Sequence, residues 1–107
     1  MDLEMAAMSL VGNAGESKSL TFEALRASIK GDFASAEEKL KEAKACALKA
    51  HEIQTELICA EADGEESKIG LLMVHAQDHL MTSILARELV EEMMVFFKEI
   101  RENYIVK

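Results

Sequence analysis

The chain has 107 residues and a net charge of −8, which fits one domain spanning residues 1–107 near the lower limit for a self-sufficient core. Nucleic acid and anionic membrane surfaces are poor partners for such a chain, because both select clustered Lys and Arg. A protein partner with a basic face fits better. Half of the residues are hydrophobic, few are aromatic, and Trp and Pro are absent. This composition favours an all-α domain.

The N-terminus and the cysteines indicate a cytoplasmic protein. Asp2 and Glu4 begin the chain and no basic residue precedes Lys18, which is unlike a secretory signal. No apolar run approaches the ~18 residues of a membrane-spanning helix, so we expect no direct membrane insertion. Cys46 and Cys59 would lie roughly 20 Å apart on one helix, too far for an intrachain disulfide. We therefore expect two free thiols in a reducing compartment, both as small buried side chains.

Glycines divide the chain into three predicted helices, at about 3–30, 32–62 and 66–103. Gly31 suits the left-handed position after a helix, and Asp32 suits the N-cap of the next one. Asp63 and Glu66 have capping-box spacing before the third helix, with Ser67 as the alternative cap. Since short connections make neighbouring helices antiparallel, we expect an up-down-up three-helix bundle.

The apolar patterns of the helices differ. The middle helix has one seam, interrupted only by Gln54, whose members are Phe33, Ala36, Leu40, Ala43, Ala47, Ala50 and Leu57. The first helix has a shorter stripe of Phe22, Leu25 and Ile29. The third has two stripes well separated around its axis, one of Leu71, Val74, Leu85 and Leu89 and one of Ile69, Met73, Leu80 and Ile84. Because an isolated bundle helix needs only one stripe, the second predicts contact with neighbouring subunits.

Polar residues interrupt the third helix in the segment VHAQDHLMTS. His75 and His79 stand at i,i+4 and project along one line of the helix. They could be ordinary helix histidines, or a zinc site, although the glutamate of HExxH is missing. They could also carry a phosphoryl group, since imidazole is nucleophilic near neutral pH. Spacing leaves the first and third interpretations open.

Asp78 lies in the stripe of Leu71, Val74 and Leu85, where a carboxylate without a partner is costly. If the third helix lies on a threefold axis, three copies of Asp78 converge there and repel one another. A hard divalent cation with oxygen ligands resolves that conflict, and Mg²⁺ suits carboxylates and water. The stripe therefore supports the hypothesis of a shared metal site.

Several segments together resemble one known family. VHAQDHLMTSILARELVEEM is similar to the signature of the lactose/cellobiose (and diacetylchitobiose) family of IIA components of the bacterial sugar phosphotransferase system. SLTFEALRASIKGDFASAEEKL resembles the first helix and the Gly-Asp-Phe turn of that family, and AHEIQTELI resembles the end of its second helix. These likenesses cover roughly residues 8 to 98, in the right order, and the HAQDHLMTS stretch is specific.

The resemblance implies a cytoplasmic phosphotransferase component (EIIA) that assembles as a homotrimer, a nine-helix bundle. The histidine matching His75 accepts phosphate from phospho-HPr on Nε2 and passes it to a cysteine of the IIB component, for disaccharide import. The aspartate matching Asp78 binds one metal ion per trimer, usually magnesium, shared by three subunits. Gln77 and His79 match positions beside the active histidine that support the phosphoryl group. The sugar itself is selected by the membrane partner.

Periodicity alone favours a different class, a non-catalytic helical protein-interaction module. The stretch GDFASAEEKLKEAKACALKAH is also typical of a helical hairpin that binds a partner helix. Such a module would lose little partner binding in His75→Ala and would never carry phosphate, whereas a phosphocarrier takes up one acid-labile phosphate per subunit.

Overall fold

The computed structural model describes residues 2–64 and 70–105, and three antiparallel helices account for nearly all of them. The helices are α1 (Leu3–Ile29), α2 (Phe33–Ala62) and α3 (Leu71–Ile100), and one π-helical turn follows over Arg101–Ile105. The expected all-α, up-down-up bundle is confirmed. It measures 60 × 20 × 18 Å, and within the described residues no helix has the length and apolar character that a membrane crossing requires.

The first two helices begin at aspartate N-caps. The Asp2 side chain accepts hydrogen bonds from the backbone N–H groups of Glu4 and Met5, at 3.1 and 3.2 Å. The Asp32 side chain accepts one from the N–H of Ser35 at 3.1 Å. Each bond satisfies a donor that has no partner within the first helical turn. The predicted N-cap at Asp32 is confirmed.

The turn between α1 and α2 depends on Gly31 and on the end of α3. Gly31 has φ +86°, as the sequence predicts, and the Arg101 side chain lies over it. Arg101 Nη2 donates to the carbonyl oxygen of Ile29 at 3.2 Å. A Cβ atom built on Gly31 would lie 2.6 Å from Cζ of Arg101, so a larger residue at this position would displace the guanidinium from its place over the turn.

Replacing Gly31 with alanine is expected to lower the free energy of unfolding by about 1–2 kcal/mol for the left-handed backbone alone. A further loss comes from displacing Arg101. Urea denaturation measures the total. Gly64→Ala is a matched control, because Gly64 has the same φ of +86° but nothing among the described residues within 4 Å of an added Cβ. Equal losses in the two variants would contradict a stabilising role for the Arg101 contact.

The start of α3 differs from the prediction. Gly70 has an extended backbone with φ −109° and ψ 174°, so the helix begins at Leu71 instead of residue 66. Asp63 is the C-cap of α2, and its backbone N–H bonds to the carbonyl of Cys59. It therefore ends α2 instead of capping α3. The other residues predicted for this segment, Glu66, Ser67 and Ile69, lie outside the described residues.

Small side chains let the helices pack closely. The predicted α2 seam is confirmed in its middle, since Ala36, Leu40, Ala43, Ala47 and Ala50 are all buried, and its two ends, Phe33 and Leu57, are partly buried. One core cluster contains Ala7, Leu10, Ala14, Ala50, Ala76 and Leu80. A second cluster towards the other end contains Ala24, Ala36, Leu40, Val90 and Met94. The first cluster lies under the histidine segment of α3 and fixes where that segment sits.

The first helix buries a face that only partly matches the predicted stripe. Phe22 and Ile29 are 40% and 55% exposed, so the stripe is wrong at these two positions, whereas Leu25 packs against the second core cluster. The buried face of α1 instead includes Ser17, Thr21, Ala24 and Ser28. The hydroxyls of Ser17, Thr21 and Ser28 stay buried because each donates to a backbone carbonyl, as Ser17 Oγ does to Ala43 at 2.8 Å.

The two cysteines are free, as expected. Cys46 is partly buried on α2, and Cys59 lies exposed near the end of the same helix. The expectation of a buried side chain is therefore wrong for Cys59, because its helix position faces away from α1 and α3.

Candidate functional site

An apolar stripe on α3 is left exposed by the described residues of the chain. Its members, each at least half exposed, are Leu71, Val74, Met81, Leu85, Leu89 and Phe96. On the opposite side Leu80 is fully buried, and Met73 and Ile84 pack against the first core cluster. The two stripes predicted for this helix are thus confirmed, one inward and one outward. A contiguous exposed stripe of this length is typical of a contact surface.

His75 and His79 lie on one flank of the exposed stripe, one helical turn apart. Nε2 of His75 and Nε2 of His79 are 3.0 Å apart. The ring centroids are 4.4 Å apart, and the ring planes meet nearly edge-on at 81°. His75 is exposed and His79 is partly buried. At this distance one nitrogen donates a proton and the other accepts it.

The burial of His79 indicates which of the two Nε2 atoms carries the shared proton. Nδ1 of His79 is buried and has no hydrogen-bond partner among the described residues. A buried N–H without a partner is rarer than an unpaired acceptor, so we infer that the His79 proton is on Nε2. That nitrogen then donates to Nε2 of His75. His75 is left with an in-plane Nε2 lone pair on an exposed ring, which is the nucleophilic form of imidazole.

Gln77 points away from the histidine pair. It lies about 160° around the helix from His75 at about 100° per residue. Nε2 of Gln54 donates to Oε1 of Gln77 at 2.6 Å, and this bond joins α2 to α3. Gln54 is the polar residue that interrupts the α2 seam, and the bond explains its place there. Within one chain Gln77 does not reach His75, and its support of a phosphoryl group stays a prediction.

Asp78 lies in the exposed stripe between Val74 and Leu85. Its side chain is exposed and, within residues 2–64 and 70–105, takes part in no hydrogen bond or ion pair. The Thr82 hydroxyl instead donates to the backbone carbonyls of Asp78 and His79. The described part of one chain brings together no group of three His, Cys, Asp or Glu side chains that could hold a metal. A metal on Asp78 would therefore take its other protein ligands from outside the described residues of one chain.

Charge is unevenly distributed along the bundle. The half that holds His75, here called the acidic half, has no Lys or Arg in its described residues, which are 2–17, 50–64 and 70–86. It contains eight acidic residues: Asp2, Glu4, Glu16, Glu52, Glu56, Glu61, Asp63 and Asp78. Described residues 18–49 and 87–105 hold ten acidic and ten basic residues. The histidines therefore lie in a negative field, which attracts basic partners and cations.

Known proteins match nearly the whole chain. Residues 5–98 fit the family model described as PTS system, Lactose/Cellobiose specific IIA subunit. The N,N′-diacetylchitobiose-specific EIIA component of Escherichia coli strain K12 is 40% identical over 100 residues, which cover 94% of this chain and 86% of the relative.

Two solved structures extend the match to three dimensions. The PTS cellobiose-specific enzyme IIA from Bacillus anthracis superposes with a TM-score of 0.93 at 38% identity, covering 96% of this chain and 94% of that one. The IIA(chitobiose) subunit of the IIA(chitobiose)–HPr complex of Escherichia coli superposes with a TM-score of 0.82 at 39% identity, covering 94% and 98%. The sequence matches and the structural superpositions therefore indicate the same family of proteins.

Proposed function

This chain belongs to the lactose/cellobiose-specific IIA family of the phosphotransferase system, and on that premise we propose that it carries a phosphoryl group on Nε2 of His75, from HPr to a cysteine of a IIB component. The observation that supports this most directly is the exposed His75 ring, whose Nε2 faces Nε2 of a half-buried His79 at 3.0 Å. His79 holds the acceptor ring in one orientation and, as the inferred donor, requires that Nε2 of His75 carries no proton.

In the proposed transfer, Nε2 of His75 attacks the phosphorus of the phosphohistidine on HPr. The P–N bond of the donor breaks as the new P–N bond forms, and the HPr imidazole leaves. The hydrogen bond between His75 and His79 is lost in this step, because the lone pair that accepted it now binds phosphorus. The freed N–H of His79 then meets a phosphoryl oxygen one helical turn away, where a positioned donor stabilises negative charge.

The acidic half also suits the second transfer, to IIB. A strong ion pair with Arg or Lys would hold the phosphoryl group firmly, but the described residues of this half contain neither. The described residues of this half therefore offer the phosphohistidine no such ion pair. HPr and the IIB component must reach Nε2 of His75 in turn. If both present basic faces, the negative field of the acidic half would steer both towards it. A relative of this chain has been solved in complex with HPr, which supports HPr as the donor. We also propose that the transfer takes place in the cytoplasm.

The proposal includes a homotrimer. Three α3 helices would meet along their exposed apolar stripes, which gives a nine-helix bundle and removes the stripes from water. Asp78 of each chain would then lie near the threefold axis. Three carboxylates in an apolar seam repel unless a cation neutralises them, and their hard oxygens suit one Mg²⁺. The metal would hold the axis together; the phosphoryl transfer itself uses the histidines.

Replacing Asp78 with leucine is expected to remove the bound metal and to leave both the trimer and the phosphorylation of His75 intact. A well-packed apolar axis can substitute for a buried charged one. Elemental analysis gives the metal content, and light scattering after size exclusion gives the molar mass. An Asp78→Leu chain that stays trimeric but accepts no phosphate would show that Asp78 acts in the phosphoryl site.

The proposed function is tested by incubating the chain with phosphoenolpyruvate, enzyme I and HPr. We expect one acid-labile phosphate per chain, which a cysteine-containing IIB component then removes. A chain that stays unlabelled while HPr is phosphorylated in the same tube would act as the alternative class, a non-catalytic interaction module.

A further inference from the structure

We propose that His75 and His79 also form a transition-metal site, in which one Zn²⁺ ion per chain binds both Nε2 atoms and blocks the phosphoryl acceptor. The metal binding follows from the geometry of the pair alone. The block of phosphoryl transfer rests on the function proposed above. This site differs from the proposed metal site at Asp78, because it uses imidazole nitrogens of one chain instead of carboxylate oxygens of three chains.

The spacing of the two nitrogens is close to that of a chelate. Zinc lies about 2.0–2.1 Å from an imidazole nitrogen, so two ligands of a tetrahedral ion are about 3.3–3.4 Å apart. Nε2 of His75 and Nε2 of His79 are 3.0 Å apart. A small rotation of the exposed His75 ring supplies the difference. The two nitrogens thus face one another before any ion binds, and little side-chain order has to be created.

The donor atoms select the kind of ion. Neutral imidazole suits Zn²⁺, Cu²⁺ and Ni²⁺, whereas Mg²⁺ prefers oxygen and keeps much of its water. The described residues of one chain offer the pair no third protein ligand, so water completes the coordination, and the site has one protein ligand fewer than a catalytic zinc site. The surrounding acidic half, free of Lys and Arg in its described residues, raises the local concentration of cations.

Binding requires a proton to move. The ion takes the place of the proton between the rings, and His79 then carries its proton on Nδ1. That atom is buried and has no partner among the described residues, which limits the affinity and makes the binding reversible. Because the zinc ion and the phosphoryl group need the same His75 lone pair, each lowers the affinity for the other.

The binding is tested by titrating the purified full-length protein with ZnCl2 in a calorimeter, with ¹⁵N NMR of the histidine ring nitrogens. We expect one ion per chain and coordination shifts at both Nε2 atoms. His79→Gln is expected to weaken binding by at least about tenfold. His51→Gln is the matched control, since His51 is exposed on α2, and it should bind zinc like the unaltered chain.

Three results would overturn the proposal: unchanged affinity in His79→Gln, loss of binding in His51→Gln, or one ion per three chains that disappears in Asp78→Leu. The last result would assign the zinc to the carboxylates. Millimolar MgCl2 should leave the zinc isotherm unchanged, and displacement by Mg²⁺ would also count against a histidine site.

The functional consequence is measured in a single turnover from purified phospho-HPr. Zinc is expected to slow phosphorylation over the same concentrations that fill the calorimetric site, and chelation with EDTA should restore the rate. A rate unaffected by a filled site would overturn the proposed block. If no phosphate reaches His75 even without zinc, the phosphocarrier function fails, and the calorimetric result stands by itself.

Discussion

Substitution of His75 by alanine is expected to abolish the acid-labile phosphate that phospho-HPr adds to the chain. Nε2 of His75 is the proposed nucleophile, and alanine offers no atom that can form the P–N bond. The fold should survive, because His75 is exposed and lies outside both core clusters. Labelling with ³²P from phosphoenolpyruvate, followed by acid treatment, measures the loss.

The matched control is His51→Ala. His51 is also exposed and lies in the same acidic half, but on α2, and it should keep one phosphate per chain. Circular dichroism and molar mass should be equal in both variants. A His75→Ala chain that still takes up acid-labile phosphate would contradict the assignment and point to His79, the other imidazole within reach of the same partner surface.

The features that the sequence predicts correctly are those set by local pattern. The alternating steps of the α2 seam place Ala36, Leu40 and Ala43 inward because helix periodicity alone fixes which residues share a face. Gly31 could be predicted because only glycine adopts a left-handed backbone without strain. The two stripes of α3 could be predicted because its eight apolar positions fall, at about 100° per residue, into two separate faces of the helix.

The features that the sequence does not reveal depend on packing between helices. Ser17 and Thr21 occupy the core, where hydropathy predicts Phe22, because close helix contact favours small side chains whose hydroxyls bond to carbonyls. The bond between Gln54 and Gln77 joins two helices and has no signature in either one. It also removes Gln77 from the His75 site within one chain, although the two residues are neighbours in sequence.

The candidate site was partly visible in the sequence. The i,i+4 spacing brings His75 and His79 to one line of the helix, but it leaves open which ring atoms face one another. The Nε2 to Nε2 contact and the buried, unpartnered Nδ1 of His79 are properties of ring orientation and of packing against the bundle. Those two observations underlie the direction of the hydrogen bond, and so the assignment of the nucleophilic nitrogen.

Replacing Leu85 with lysine is expected to convert the proposed trimer into monomers. Leu85 is 57% exposed in one chain. Burying a fully exposed leucine contributes about 1.5–3 kcal/mol, so the trimer would gain roughly half of that from Leu85 in each of its three subunits. Lysine removes the gain and brings three ammonium groups together in an apolar seam, where they repel. An acidic substitution would be less decisive, because a cation could neutralise a second ring of carboxylates.

Leu48→Lys is the matched control for this experiment. Leu48 is exposed to almost the same extent, 58%, but it lies on α2 and is not a member of the α3 stripe. Light scattering after size exclusion should give a single-chain mass of 11.8 kDa for Leu85→Lys and an unchanged trimer for the control. A trimer that survives the change at position 85 and dissociates on the change at position 48 would place the subunit contact on α2. The exposed stripe and the carboxylate of Asp78 within it would then need another explanation.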